Sequence, residues 1–145
     1  MPKKPVTSTK LIQAQMHARA KAAVLQSGDW LTAVEVAGLA ELSSTSPVFQ
    51  SSDWVREKRV FAIRHDGVDY FPIYGLDETN GYRPLSQLKD VISVLEPMKD
   101  GWQMAYWFLS VNSWLGGTRP QDLLRSDVRR VIDAAGEEVS ENTQG

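Results

Sequence analysis

With 145 residues, 42% of them hydrophobic and 23% charged, the chain has the length of one ordinary domain or two very small ones and enough apolar residues for a core. It has no cysteine, which excludes disulfides, thiol catalysis and cysteine-ligated zinc, and it has no apolar run of about 18 residues, which excludes a transmembrane helix. The net charge of −2 conceals a polarity: residues 1–64 hold nine Lys/Arg against five Asp/Glu, and residues 65–145 hold seven against thirteen.

A basic front and an acidic rear suit different partners, with phosphate backbone matching the first. The plainer alternative is a chance imbalance in a fold that mixes both halves on one surface. The basic N-terminus lacks the apolar stretch and cleavage site of a signal peptide, and a cytoplasmic protein with no membrane partner is expected.

Residues 1–8 are polar and hold two prolines, which predicts a disordered tail. From Thr9 to Gln26 the residues favour helix, with Leu11, Ala14, Ala18, Ala22 and Leu25 recurring at offsets of three and four as one stripe. Lys10, His17, Arg19 and Lys21 occupy the other face, and Ser27-Gly28 ends the helix, so that 9–29 forms an N-terminal helical segment. Such a charged face is ordinarily solvated. DNA contact or dimerisation is the functional alternative.

Thr32 and Glu35 have capping-box spacing: the hydroxyl accepts from the third helical amide while the carboxylate reaches back to the cap. The helix that follows is expected to bury Val36, Ala37 and Ala40, and the small Ala37 lets a second helix cross closely. Ser43 to Pro47 reads as a turn, and a second helix is predicted from near Val48 to Lys58 with Trp54 and Val55 inward. Val60 to Arg64 then reads as a strand, His65-Asp66-Gly67 as a tight turn and Val68 to Phe71 as the return strand. Pro72 ends or edges the sheet.

Helix, turn, helix and hairpin in this order predict a winged helix-turn-helix over 30–75. Leu31, Thr32, Glu35 and Ala37, then Trp54-Val55-Arg56-Glu57-Lys58-Arg59-Val60, and finally Tyr70 and Pro72 resemble the excisionase/MerR-type DNA-binding fold. The segment from Leu42 to Trp54 is longer and richer in serine than that family's pattern. The resemblance implies operator DNA as a partner. Gln50, Ser51 and Ser52 would read base edges, while Arg56, Lys58, Arg59, Arg64 and His65 would reach phosphates. The bland alternative is a scaffold or a dimer interface.

Residues 73–84 form a connector, with a loop at Asp77 to Gly81 and Pro84 opening the next helix. Leu85, Leu88, Val91, Ile92 and Leu95 form an amphipathic stripe, and Pro97 ends that helix. After Gly101, Trp102 to Leu109 is apolar nearly all round, which requires burial on several sides. Asn112 and Ser113 are expected to end that helix, Gly116-Gly117 to provide a reversal, and Thr118 and Gln121 to cap a helix with Pro120 in its first turn. Leu123 and Leu124 face inward. A last helix starts at Ser126 or Asp127 and turns Val128, Val131, Ile132 and Ala135 to one side. A helical domain over 82–136 and a disordered acidic tail over 137–145 are expected.

Asn112, Leu115, Gly116, Gly117, Pro120, Leu123 and Leu124, preceded by a tryptophan-rich helix, make residues 101–135 similar to the toxin-binding domain of Xre/MbcA/ParS-type antitoxins. The resemblance implies a bacterial toxin–antitoxin context in which the N-terminal part binds DNA and the C-terminal part holds a toxin, often a RES-domain enzyme that consumes NAD. The partner surface is placed at Trp114, Leu115, Gly116, Gly117 and Arg119. Aromatic anchors dominate interfaces when they fill partner pockets, although a small domain also needs large side chains in its core. Core burial is expected for Trp102 and Trp107, whereas Trp114 is evenly balanced between core and surface.

No catalytic or metal-binding set stands out. His17 and His65 are far apart, Gly116-Gly117-Thr118-Arg119 lacks the ending of a phosphate loop, and no nucleophile elbow is present. A non-enzymatic protein with no cofactor and no metal is expected. It is mainly α with a small hairpin, built as a winged helix-turn-helix followed by a helical toxin-binding-like domain. Its expected role is operator binding and toxin neutralisation, with a homodimer as a further partner state. The alternative is a solitary regulator or interaction module with no cognate toxin.

Overall fold

The computed structural model describes the backbone of residues 4–41 and 47–144 and the side chains of residues 8–41 and 51–142. The fold is mostly helical, with a three-stranded and a two-stranded antiparallel sheet. Helix α1 (Lys4–Gln26) leads through β1 (Trp30–Thr32) into α2 (Ala33–Ala40) and α3 (Pro47–Arg56), and then into the hairpin β2 (Ile63–His65) and β3 (Val68–Pro72). A small ribbon of β4 (Leu76–Asp77) and β5 (Arg83–Pro84) precedes α4 (Leu88–Leu95), α5 (Gly101–Leu109), α6 (Pro120–Leu123) and α7 (Val128–Gln144).

The local signals form as read. Thr32 accepts from the Glu35 amide at 3.2 Å and its own amide donates to the Glu35 carboxylate at 2.8 Å, completing the capping box. Val36, Ala37 and Ala40 are the buried face of α2. The hairpin turns on Asp66 (φ 50) and Gly67 (φ 77), the pair of positive φ values that a two-residue turn of the right twist needs. Leu88, Val91, Ile92 and Leu95 are the buried residues of α4.

Several elements differ from the expectation. Strand β3 is the centre of its sheet, because β1 pairs along its other edge, Trp30 opposite Pro72. Pro72 takes the last place on β3, where a missing donor costs least. Pro84 belongs to β5, and α4 starts four residues later. Helix α1 begins at Lys4 and α7 runs to Gln144, so helix occupies much of both expected tails. The acidic end of α7 is tied back by Lys99 to Glu138 at 3.0 Å and by Val139 against the core. The expected turn at residues 43–47 lies largely outside the described residues.

The α1 stripe is also different. Leu11 is 58% exposed, and Ala14 and Ala18 face solvent. The helix instead meets α5 through its C-terminal half, where Val24 is fully buried. Spacing chose a stripe, but only the position of α5 chose which side of α1 is covered.

A single hydrophobic cluster runs from Val24 to Ala135. Phe61, before β2, stacks on Phe108 of α5 with ring centroids 5.5 Å apart, and Tyr74 and Trp107 pack on the same ring. Asp100 and Gln103 form a second capping box that starts α5. Gly101 follows it, and a Cβ there would lie 2.2 Å from the Ala62 carbonyl oxygen. Only glycine permits α5 to begin so close to the chain entering β2.

Candidate functional site

The residues expected to contact DNA sit on α3, its C-terminal turn and the hairpin. Ser51 is 1% exposed and faces inward with Trp54, one helical turn on. A buried hydroxyl cannot meet a base edge, so Ser51 belongs to the helix packing. Ser52 is half-buried, and the side chain of Gln50 lies outside the described residues.

Helix α3 ends with Lys58 in the left-handed region (φ 64), where the Lys58 amide donates to the Val55 carbonyl at 3.0 Å and the Arg59 amide to the Trp54 carbonyl at 2.9 Å. These two bonds satisfy carbonyls that the helix end would leave unpaired.

The cations of this region are paired within the chain. Arg56 bonds Asp53, and Lys58 reaches across to Glu96 after α4. Arg59 lies 3.6 Å from Glu57. Arg64 donates to Asp69 at 2.9 Å and to the Gly67 carbonyl at 3.0 Å. His65 stands 3.3 Å from Asp66 and edge-on to Trp102. Each such surface pair contributes only about 0–1 kcal/mol, so phosphate could displace the carboxylates. In the free protein, however, the positive charge is largely neutralised.

The second candidate surface is built on a short turn. Asn112 organises it: its side-chain oxygen accepts the Trp114 amide at 2.9 Å, and its carbonyl accepts the amides of Leu115 at 3.0 Å and Gly117 at 2.9 Å. An antiparallel bridge from Asn112 to Thr118 closes the loop. Gly116 (φ 66) and Gly117 (φ 85) take consecutive left-handed conformations that make the reversal. The sequence placed Asn112 and Ser113 as the end of α5, but Ser110 does that work, its hydroxyl donating to the Tyr106 carbonyl at 2.7 Å.

On this turn Trp114 is 55% exposed, and its indole N–H donates to Glu141 at 3.1 Å. It is the exposed tryptophan among the described residues. It borders a cleft of about 620 Å³ lined also by Val94, Arg130, Ile132, Asp133 and Glu137. Leu115, its neighbour, is 2% exposed and belongs to the core; it cannot contact a partner in the folded chain. Gly116 and Gly117 are exposed.

Arg119 is half-buried and forms a two-point pair with Asp122, at 2.9 and 3.0 Å. That pairing holds the guanidinium pKa above its usual value and engages the fork that would meet a partner carboxylate. Arg119 is also the backbone N-cap of α6, with no side-chain cap bond, in place of the expected Thr118. Gln121 donates instead to Asp29 at 3.1 Å and fastens α6 to the entry of β1.

Sequence reasoning missed Arg130, Glu137 and Glu141, which line or border the Trp114 cleft. Their signal was their spacing along α7, but Glu137 and Glu141 fell in the expected tail and Arg130 on the helix beside it without a partner to mark it. The sequence placed Lys21 on a charged helix face but not against Trp102, whose ring centroid lies 5.1 Å from the ammonium. Trp107 is buried as expected and Trp102 is half-buried.

The Tyr74 hydroxyl and the Trp107 indole N–H are buried with no hydrogen-bond partner among the described residues. Burial, and then the nearby Asp29 carboxylate, push the Tyr74 phenol well above its ordinary range. Asp77 is held below the usual carboxylate range, first by the Thr79 hydroxyl at 2.6 Å, then by the Thr79 amide and Arg125.

Among the described residues no three His, Asp or Glu side chains are grouped to hold a metal ion, and no helix is long and apolar enough to cross a membrane. No protein-family model matches the chain, and no curated protein or solved structure is significantly similar to it.

Proposed function

We propose that this protein is an antitoxin-like regulator: it holds a protein partner on the Trp114 surface and binds operator DNA through a winged helix-turn-helix at residues 30–72. The observation that carries the reading is Trp114, a large aromatic left exposed beside a cleft on a tightly hydrogen-bonded turn. An anchor held in place before binding loses little conformational entropy when a partner covers it. Trp114, Gly116 and Gly117 supply the contact, with Arg130 and Glu137 as its charged rim. The DNA-binding half is supported by the order helix, strand, helix, helix, hairpin and by the packing of α2 on β1 and β3 with α3 against α2. That order suits a helix presented to a groove and a hairpin beside it.

The partner is proposed as a toxin of the RES-domain type, which the antitoxin resemblance implies. Trp114→Ala tests this surface by co-purification with a toxin encoded beside the gene, alongside circular dichroism. Loss of the toxin with an unchanged spectrum supports the reading. A folded variant that still retains the toxin refutes the assigned surface. A second reading, a solitary regulator with no toxin, is favoured by the ion pairing of Arg56, Lys58, Arg59 and Arg64, which weakens the case for strong operator affinity through the winged unit.

A further inference from the structure

We propose that the stripe of Lys10, His17 and Lys21 on α1 is the main phosphate-contacting surface of this protein, an inference that rests on the DNA-binding reading above and relocates its electrostatic part. From Lys4 to Gln26 the chain has Lys4, Lys10, Arg19 and Lys21 and not one carboxylate. Lys10 has no ion pair or hydrogen bond among the described residues, and Lys21 lies over the face of Trp102 at the mouth of a cleft that it and His17 share with Lys99, Asp100 and Tyr106. The cations of α3 and the hairpin are all matched to carboxylates, as described above. Within the basic front of the chain the charge free to meet a polyanion therefore lies on α1; Lys89, Arg129 and Arg130, exposed as well, stand on α4 and α7 in the acidic rear.

The geometry fits a phosphate backbone. At about 100° per residue, Lys10, His17 and Lys21 fall within about 40° of one another around the helix and span about 16 Å along it. Duplex DNA presents one charge per about 1.7 Å of axis, so the stripe runs past several phosphates. The helix is long enough to reach outward, because α5, which covers its C-terminal half, has nine residues against its 23.

An anionic lipid surface would require the exposed apolar residues to share one wide face. Leu11, Ile12 and Met16, all exposed, fall within one arc of about 140°, but Gln15 and Arg19 lie inside that arc at the same angular step, so no continuous apolar face is formed.

The test is fluorescence anisotropy of a labelled 30-base-pair duplex from 50 to 200 mM salt, using the full chain and the exposed-residue variant Lys10→Gln/Lys21→Gln. Removing two phosphate contacts should shrink the slope of log affinity against log salt by about 1.8, so that the unsubstituted protein loses about 12-fold more affinity than the variant over that range. Arg56→Gln/Arg64→Gln should change the slope by less than one contact. Circular dichroism confirms that both variants fold.

An unchanged slope for the α1 variant, with clear DNA binding by the unsubstituted protein, overturns this proposal and leaves the DNA-binding reading standing. Absence of DNA binding by the unsubstituted protein overturns both. Binding to phosphatidylglycerol vesicles in place of DNA overturns the assignment of α1 to a nucleic acid.

Discussion

Replacing Gly101 with alanine sets two physical effects against each other. Alanine is the better helix former and restricts the unfolded chain, which together favour the variant by up to about 1 kcal/mol. Against that, the new Cβ would sit 2.2 Å from the Ala62 carbonyl oxygen and 3.3 Å from its carbon. The contact must open by about 1 Å to reach ordinary separation. Neither side yields easily: the Asp100–Gln103 capping box holds the start of α5, and Ile63, the next residue after Ala62, is fully buried. Overpacking of this kind costs about 1–3 kcal/mol and sometimes more, so the clash outweighs the propensity gain. The expected result is a net loss of about 1–3 kcal/mol and a melting temperature lower by about 3–9 °C, at roughly 3 °C per kcal/mol for this size.

Gly136→Ala is the control. Gly136 lies within α7 with nothing within 4 Å of its Cβ position, so the same change should raise stability by about 0.5–1 kcal/mol. Thermal melts of both variants by circular dichroism decide the matter. A Gly101→Ala protein as stable as the original would refute the close approach of α5 to the strand entrance.

The neighbours Leu115 and Trp114 should separate by equilibrium urea unfolding. Leu115→Ala is expected to cost about 2–5 kcal/mol as a core truncation, and Trp114→Ala about 1 kcal/mol or less; equal losses would place both in the core. Tyr74→Phe removes a buried hydroxyl with no partner, so stability should be unchanged or higher by up to about 1 kcal/mol, and a loss above about 2 kcal/mol would reveal a bond that the fold does not display.

The same residue predicts alkaline behaviour. Its folded pKa is raised, so above about pH 10 the unfolded chain releases this proton first, the native state holds more protons, and stability falls as pH rises, by at most about 1.4 kcal/mol per pH unit. Tyr74→Phe should flatten that decline in urea titrations between pH 9 and 11, and an identical decline would argue against the shift. Thr32→Ala removes one side of the α2 capping box and should cost about 1 kcal/mol in the same assay; no change would mean that the box contributes nothing to folding.

Features whose cause lies within a few residues were legible in the sequence. The Thr32–Glu35 box, the Asp66-Gly67 turn, the α4 stripe and the Gly116-Gly117 reversal all depend on spacing and on backbone conformations that few residue types adopt. Features set by distant chain were not. Strand β1 has three residues and no period of its own, and it exists because β3, some forty positions later, offers an edge. Ser51 looked like a base reader from its place on α3, but the packing that buries Trp54 buries it too. Leu115 and Trp114 are adjacent in an apparent partner motif, and the turn sends one inward and the other out.

By itself, then, the sequence determined where α2 starts, where the chain reverses and which residues can be apolar anchors, because capping bonds and positive φ values are local requirements. The tertiary structure decided which side of α1 is covered, which cations are matched by carboxylates and which tryptophan is left exposed. Burial and ion pairing belong to pairs of surfaces, and the second member of each pair lies elsewhere in the chain. The basic front read from composition thus divides in two, with paired cations on α3 and the hairpin and unmatched Lys10 on α1.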